Sequence, residues 1–179
     1  MKQPIEQWLP VTHPAVVSVP PRDPKRLVEV IEQFNVATHA RYASRGRTTW
    51  CNIFMWDVTS AMACEIPHWY DPVDGHPTNV ARGAEMRAND VTSWMRDHGA
   101  ARGWTKVAAP EAARRAALGE CVVAAWHNPN GKGHVAILRP ESKPGAVRIA
   151  QAGARNFSDC TLHQGFGFAT AAVEFFAHG

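Results

Sequence analysis

The chain offers one pairing suited to thiol chemistry, a cysteine at Cys51 and a histidine at His134. The thiolate is the nucleophilic form, and a free thiol with a pKa of about 8.5 is mostly protonated at neutral pH. Two devices lower that value. A helix N-terminus presents free N–H groups and partial positive charge to an anion. A neighbouring imidazole takes the proton. Cys51 directly follows the turn GRTTW at the predicted start of a helix, where the backbone N–H of Cys51 or Asn52 could also donate to an oxyanion. A buried helix cysteine is the plain alternative, and position alone does not separate the two.

His134 supplies the second device. It opens the apolar run HVAIL just after the turn NPNGKG, which leaves its imidazole at the rim of a sheet. An ordinary loop histidine is the alternative. His127, on the other arm of the same hairpin, lacks the following apolar strand and serves as the contrast. A base needs an orienting partner on its other ring nitrogen. Gln151 is the polar residue amid apolar neighbours in VRIAQAG, and its carbonyl oxygen can accept from an imidazole N–H. Asn156, in ARNF, is the competing third member. Either could instead bond loop backbone.

The elements that must position these residues follow from local signals. The first 22 residues are Pro-rich (Pro4, Pro10, Pro14, Pro20, Pro21), which predicts an extended segment wrapped over a surface. Asp23-Pro24 predicts a helix start, and Leu27, Val30, Ile31 and Phe34 carry it to near Ala40. Thr48 or Thr49 should cap a second, buried helix from Cys51 to about Met62. Residues 64–89 read as a long loop region. Asn89 or Asp90 should cap a third helix to about His98, with Val91, Trp94 and Met95 inward. A fourth, PEAARRAAL, is stopped by Gly119. Then the period changes. CVVAAW and HVAILRP form a hairpin across a loop containing Asn130-Gly131, AVRIAQAG is a third strand, a polar loop follows, and AAVEFFAH is a fourth strand. Helices first and a mostly antiparallel sheet after them make an α+β fold in one domain spanning 1–179.

Composition bounds the rest. Nearly half of the 179 residues are hydrophobic, enough for a sizeable core. The net charge of +3 comes with no Lys/Arg run, so no nucleic-acid partner is expected. No stretch approaches the roughly 20 apolar residues needed to span a bilayer. Glu6, Pro4 and Pro10 interrupt the place where a Sec signal would need an apolar core. The four cysteines are widely and irregularly spaced without a C-x-x-C pair, which reads as buried, reduced side chains and not a zinc ribbon.

A cysteine opening a buried helix, then G-H-V-A-I opening a strand, then a polar residue on the next strand resembles the papain-like cell-wall hydrolases, the NlpC-like peptidases and CHAP amidases. The motifs are TTWCNIFMWDV, GKGHVAIL and IAQAGARNF, in order between Thr48 and Asn156. Asn52-Ile53 replaces the usual small-residue pair, and Gln151 stands where many members carry His, Glu or Asn. The resemblance implies a papain-like fold and an amide bond in peptidoglycan as substrate, cut in the stem peptide or between muramic acid and L-alanine. It implies Cys51 as nucleophile, His134 as base, no metal and no other cofactor. It also implies release by phage lysis or a specialised secretion route, with an immunity protein as partner if the protein is a toxin. Trp50, His68, Trp69 and Trp126 are candidates for the cleft wall, and core packing is the alternative for each. Asp71, Asp74 and His76 are too loosely spaced for a metal site and read as a solvated loop. Other readings are a thiol deamidase or acyltransferase acting on a protein, with the same nucleophile and base, and a non-catalytic binding module.

Overall fold

The computed structural model describes Leu9, Val11 and residues 13–143 and 145–179. Residues 1–8, Pro10, Thr12 and Pro144 lie outside the described residues, and with them Pro4, Glu6 and Pro10 of the N-terminal segment. Between His13 and Arg22 the chain has no helix or strand. It is fastened by long-range bonds: Ser18 N–H to the Ala61 carbonyl, the Gln33 amide to both backbone groups of Val16, and Arg22 Nη1 to the Met62 carbonyl.

Helix α1 (Pro24–Glu32) starts as its sequence dictates, with Asp23 Oδ1 accepting from the Arg26 N–H at 2.8 Å. It ends well before Ala40, because Asn35 takes a left-handed φ of 47° that no helix can continue. Residues Ala40–Tyr42 form only a 3-10 turn. Helix α2 (Cys51–Ala61) is buried on nearly every side. Its N-cap is Trp50, without a side-chain bond, and neither Thr48 nor Thr49 caps it. Thr48 is instead engaged in a tight backbone turn with Arg45. The first N–H groups of α2 are therefore left without a capping side chain.

The long loop after α2 carries a two-strand hairpin, β1 (Trp69–Tyr70) and β2 (Ala84–Glu85). Helix α3 (Ala88–Asp97) begins two or three residues earlier than expected, because Arg87 N–H bonds Asp90 Oδ2 and Arg87, not Asn89 or Asp90, is the N-cap. Strand β3 (Thr105–Val107) and helix α4 (Ala109–Ala117) follow, the latter ended by Gly119. Then come β4 (Cys121–Trp126), β5 (His134–Leu138), β6 (Arg148–Gln151), β7 (Phe157–Thr161), the short helix α5 (Leu162–Phe166) and β8 (Glu174–His178).

The main sheet is antiparallel throughout, in the order β3-β8-β4-β5-β6-β7. Alternate residues of each strand serve two cores. Cys121, Val123, Ala125, Val135 and Ile137 pack with α1, α2 and α3; Val122, Ala124, Ala136 and Leu138 pack with α4 and the α5 region. Burial on both faces explains why CVVAAW is a continuous apolar run and not an alternating one. The fold is α+β, as expected. Strand β7 was expected as loop. It is an edge strand with one buried residue, Cys160, and solvent-facing polar neighbours, so it lacks an apolar stripe. Among the described residues no helix is long and apolar enough to cross a membrane.

Candidate functional site

The first residue of α2, the first of β5 and the last of β6 meet at one end of the sheet. Cys51 is 5 % exposed, and its sulfur takes a hydrogen bond from the His134 side chain and from the backbone N–H groups of Val135 and Asn52. Burial alone pushes the thiol pKa up. The His134 hydrogen bond and charge, with the two N–H donors, outweigh it and hold the thiol below its ordinary value. For His134 burial favours the neutral ring, but the bond to Cys51, its charge and the bond to Gln151 prevail and raise the imidazole pKa. Both shifts run in the direction that favours moving the proton from the thiol to the imidazole.

Gln151 sets the tautomer. Its Nε2 donates to the Arg155 carbonyl at 3.1 Å, which fixes the amide so that Oε1 faces His134 Nε2 at 2.5 Å. An amide oxygen only accepts, so Nε2 carries a proton and Nδ1 is the nitrogen left for the thiol. Gln151 is 4 % exposed and sits at a register shift of the β6–β7 ladder. Gly165 packs over it: a Cβ there would lie 2.8 Å from Oε1 and 2.5 Å from Ile149 Cδ1. The Phe166 ring meets the His134 ring edge to face at 4.9 Å. Helix α5 thus buttresses the pair. Sequence reasoning missed Gly165 and Phe166, although Thr161-x-x-Gln164 is a capping box that announces their helix.

Asn156 does not reach the imidazole. Its Oδ1 accepts from the Gly153 N–H and its Nδ2 donates to the Tyr42 carbonyl, so it organises the turn after β6. Asn89 was expected as a helix cap and does something else. Its amide binds three backbone groups of the β4–β5 loop: Oδ1 accepts from Asn128 N–H, and Nδ2 donates to the carbonyls of Asn128 and Gly131. Gly133 is required beside it, since a Cβ would come within 2.3 Å of Asn89 Oδ1 and 2.4 Å of the Trp126 carbonyl. Asn89 therefore fixes the loop that delivers His134. Asn89→Ala should cost about 1–3 kcal/mol by leaving these groups unpaired, measured by denaturant unfolding, and should slow alkylation of Cys51 at neutral pH.

A cleft of about 550 Å³ opens on Cys51. Its walls are Thr48–Asn52, Glu85 and Arg87–Asp90, and Gly131–Gly133. Trp50 lies in the wall, buried, with Nε1 donating to the Ala43 carbonyl. Asn52 ties the helix start to the opposite wall through Nδ2 and the Met86 carbonyl. The other aromatic candidates do not line this cleft. His68 is buried behind it, stacked on Trp56, and Trp69 meets His68 edge on. Trp126 leans towards the α4 and α5 side of the sheet, against Phe168. A second depression of about 460 Å³, beside Val17–Val19 and the start of α1, contains neither Cys51 nor His134.

The other cysteines contrast with Cys51. All are unpaired and buried. The Cys121 thiol is pushed well above its ordinary value by its hydrogen bond with Cys64 and by burial, and that of Cys160 to about 11 by burial and then by the nearby Asp159 charge. Among the described residues no group of three or more His, Cys, Asp or Glu side chains could hold a metal ion. Asp71 and Asp74 accept from the N–H groups of Val73 and His76 in local turns. No protein-family model and no curated protein matched the sequence.

Proposed function

We propose that the protein is a papain-like cysteine hydrolase that cleaves an amide bond of bacterial peptidoglycan. The observation that carries this reading is the hydrogen-bonded line Cys51–His134–Gln151, on a helix start, a strand start and the adjacent strand, with Cys51 lining a cleft. Its order along the chain is that of the cell-wall hydrolases the motifs resemble.

The chemistry follows from the geometry. The Cys51 thiolate attacks the amide carbonyl carbon, and the carbonyl electron pair moves onto oxygen. In the resting site the Asn52 N–H faces the sulfur, so the Cys51 N–H at the helix start is the donor closest to hand for that oxyanion. His134 passes its Nδ1 proton to the departing amine as the C–N bond breaks, leaving a thioester. Neutral His134 then takes a proton from water, which attacks the thioester and frees the acid and the thiol. Gln151 holds the ring in place throughout.

The test is digestion of purified peptidoglycan by the wild type and by Cys51→Ala, with products identified by mass. Wild-type products carrying one added water and a new amine, absent with Cys51→Ala, support the reading and identify the bond. Equal digestion by both removes Cys51 from the chemistry. No digestion by either redirects the site to a protein substrate.

A further inference from the structure

The cleft beside Cys51 carries a charged pair that the hydrolytic chemistry does not use. Glu85, at the end of β2, and Arg87, two residues on, both line it. The Glu85 side chain is 32 % exposed and that of Arg87 is 78 % exposed. Their closest approach, Arg87 Nε to Glu85 Oε2, is 3.6 Å, which is an ion pair but not a hydrogen bond. Behind Glu85 lies His68, 1 % exposed, whose Nε2 is 3.7 Å from Glu85 Oε1. Both His68 ring nitrogens lack a hydrogen-bond partner among the described residues. Buried polar atoms without partners are uncommon and need a reason. Burial, and after it the positive charge of Arg41, lowers the His68 pKa to about 4, so the ring is neutral and adds no charge to the cleft.

The part-exposed Glu85 carboxylate thus lies in the cleft wall between His68 and Arg87, at 3.7 and 3.6 Å, with a hydrogen bond to neither. One wall offers an anion and a cation side by side, a few ångströms apart. That spacing matches a carbon bearing both an ammonium and a carboxylate. A guanidinium is the group best suited to a carboxylate, through paired N–H donors, and a carboxylate accepts strongly from an ammonium. Closing on such a ligand would draw Glu85 into charge-assisted hydrogen bonds and leave His68 Nε2 beside a fixed acceptor.

We propose that Glu85 and Arg87 form a subsite for a free α-amino-acid head, Glu85 taking the ammonium and Arg87 the carboxylate, with His68 as a positioning residue behind Glu85. This rests on the cleft being the substrate site of Cys51. It specifies the substrate class: amide-linked chains that present an unsubstituted zwitterionic amino-acid end near the bond to be cut, as an uncrosslinked diamino dicarboxylic acid of a stem peptide does.

The probe is meso-diaminopimelate, which has the zwitterionic head and no amide bond, so the wild-type chain can be used. Calorimetric titration is run beside pimelate, which lacks the amines, and cadaverine, which lacks the carboxylates. Binding of meso-diaminopimelate at least about tenfold tighter than either is expected. Glu85→Gln and Arg87→Gln should each weaken it about tenfold or more, and Arg114→Gln on α4 should not. Equal binding of all three compounds, no binding of any, or full affinity in Glu85→Gln overturns the subsite. Peptidoglycan digestion, measured in parallel, keeps the two claims apart. Digestion without the ligand preference removes the subsite alone, and ligand preference without digestion removes the proposed substrate polymer.

Discussion

His134→Ala is expected to slow the proposed amide hydrolysis by about 10²–10⁴-fold, the usual contribution of a positioned acid–base group. Two losses combine. The departing amine no longer receives a proton from Nδ1. The thiol also loses its largest stabilising partner, and the burial that now dominates favours the protonated form. The Val135 and Asn52 N–H groups remain, so the loss should fall short of that in Cys51→Ala, which removes the nucleophile itself. Steady-state rates on peptidoglycan fragments, with circular dichroism to check folding, read this directly. A rate within a few-fold of wild type would remove His134 from the proton transfers. Gln151→Ala should act in the same direction and more weakly, because the ring keeps its Phe166 contact while losing its tautomer control.

The largest stability effect is expected at Asp57. Its side chain is fully buried and accepts from Arg41 Nε at 2.7 Å, Arg41 Nη2 at 3.0 Å and the Tyr42 hydroxyl at 2.7 Å. Burial, the Asp57 charge and its hydrogen bond push the Tyr42 hydroxyl pKa well up, so it stays protonated and donates. Arg41 also reaches the Leu9 carbonyl, which ties the N-terminal segment to the network. Removing one member of a buried ion pair strands the other, at a cost of about 3–5 kcal/mol. In a chain of this length that lowers the melting temperature by on the order of 10 °C. Asp57→Ala should show this loss by thermal melting, and Asp57→Asn a smaller one, since it keeps an acceptor for Tyr42. The effect should extend to the site. The Tyr42 carbonyl holds Asn156, and Asn156 holds the turn after Gln151. A melting temperature unchanged in Asp57→Ala would show that the pair contributes nothing net.

That Cys51 and His134 come together, with one of two amides beside them, was legible in the sequence because each sits where a strong local signal changes: a turn into an apolar helix, a turn into an apolar strand, a polar residue in or just after an apolar strand. The choice of Gln151 over Asn156 was not. Both are amides on or near the same strand, and only the Arg155 carbonyl, which orients one of them, separates the two. The α+β order was legible for the same reason, since the helices and the central strands bury whole faces. Strands β3 and β7 were not, because a short edge strand buries too little to leave a period. The cleft walls were the least legible part. Four aromatic residues were expected there, but the structure leaves Trp50 alone in the wall and sets Glu85, Arg87 and Asn89 beside it. Aromatic rings find burial wherever the core has room, and Trp126 and Trp69 took it elsewhere. The role of Asn89 depends on a loop 39 residues away and has no local signature.

The central claim is that Cys51 rests as a thiolate made by His134. Its most direct test is the pH dependence of iodoacetamide alkylation, followed at each of the four cysteines by peptide mass mapping. Cys51 should react first, and at pH values below the range of about 8.5 in which a free thiol ionises. His134→Ala should move that profile upward. A Cys51 rate that rises only through the ordinary thiol range, or a profile that His134→Ala leaves in place, would contradict the account.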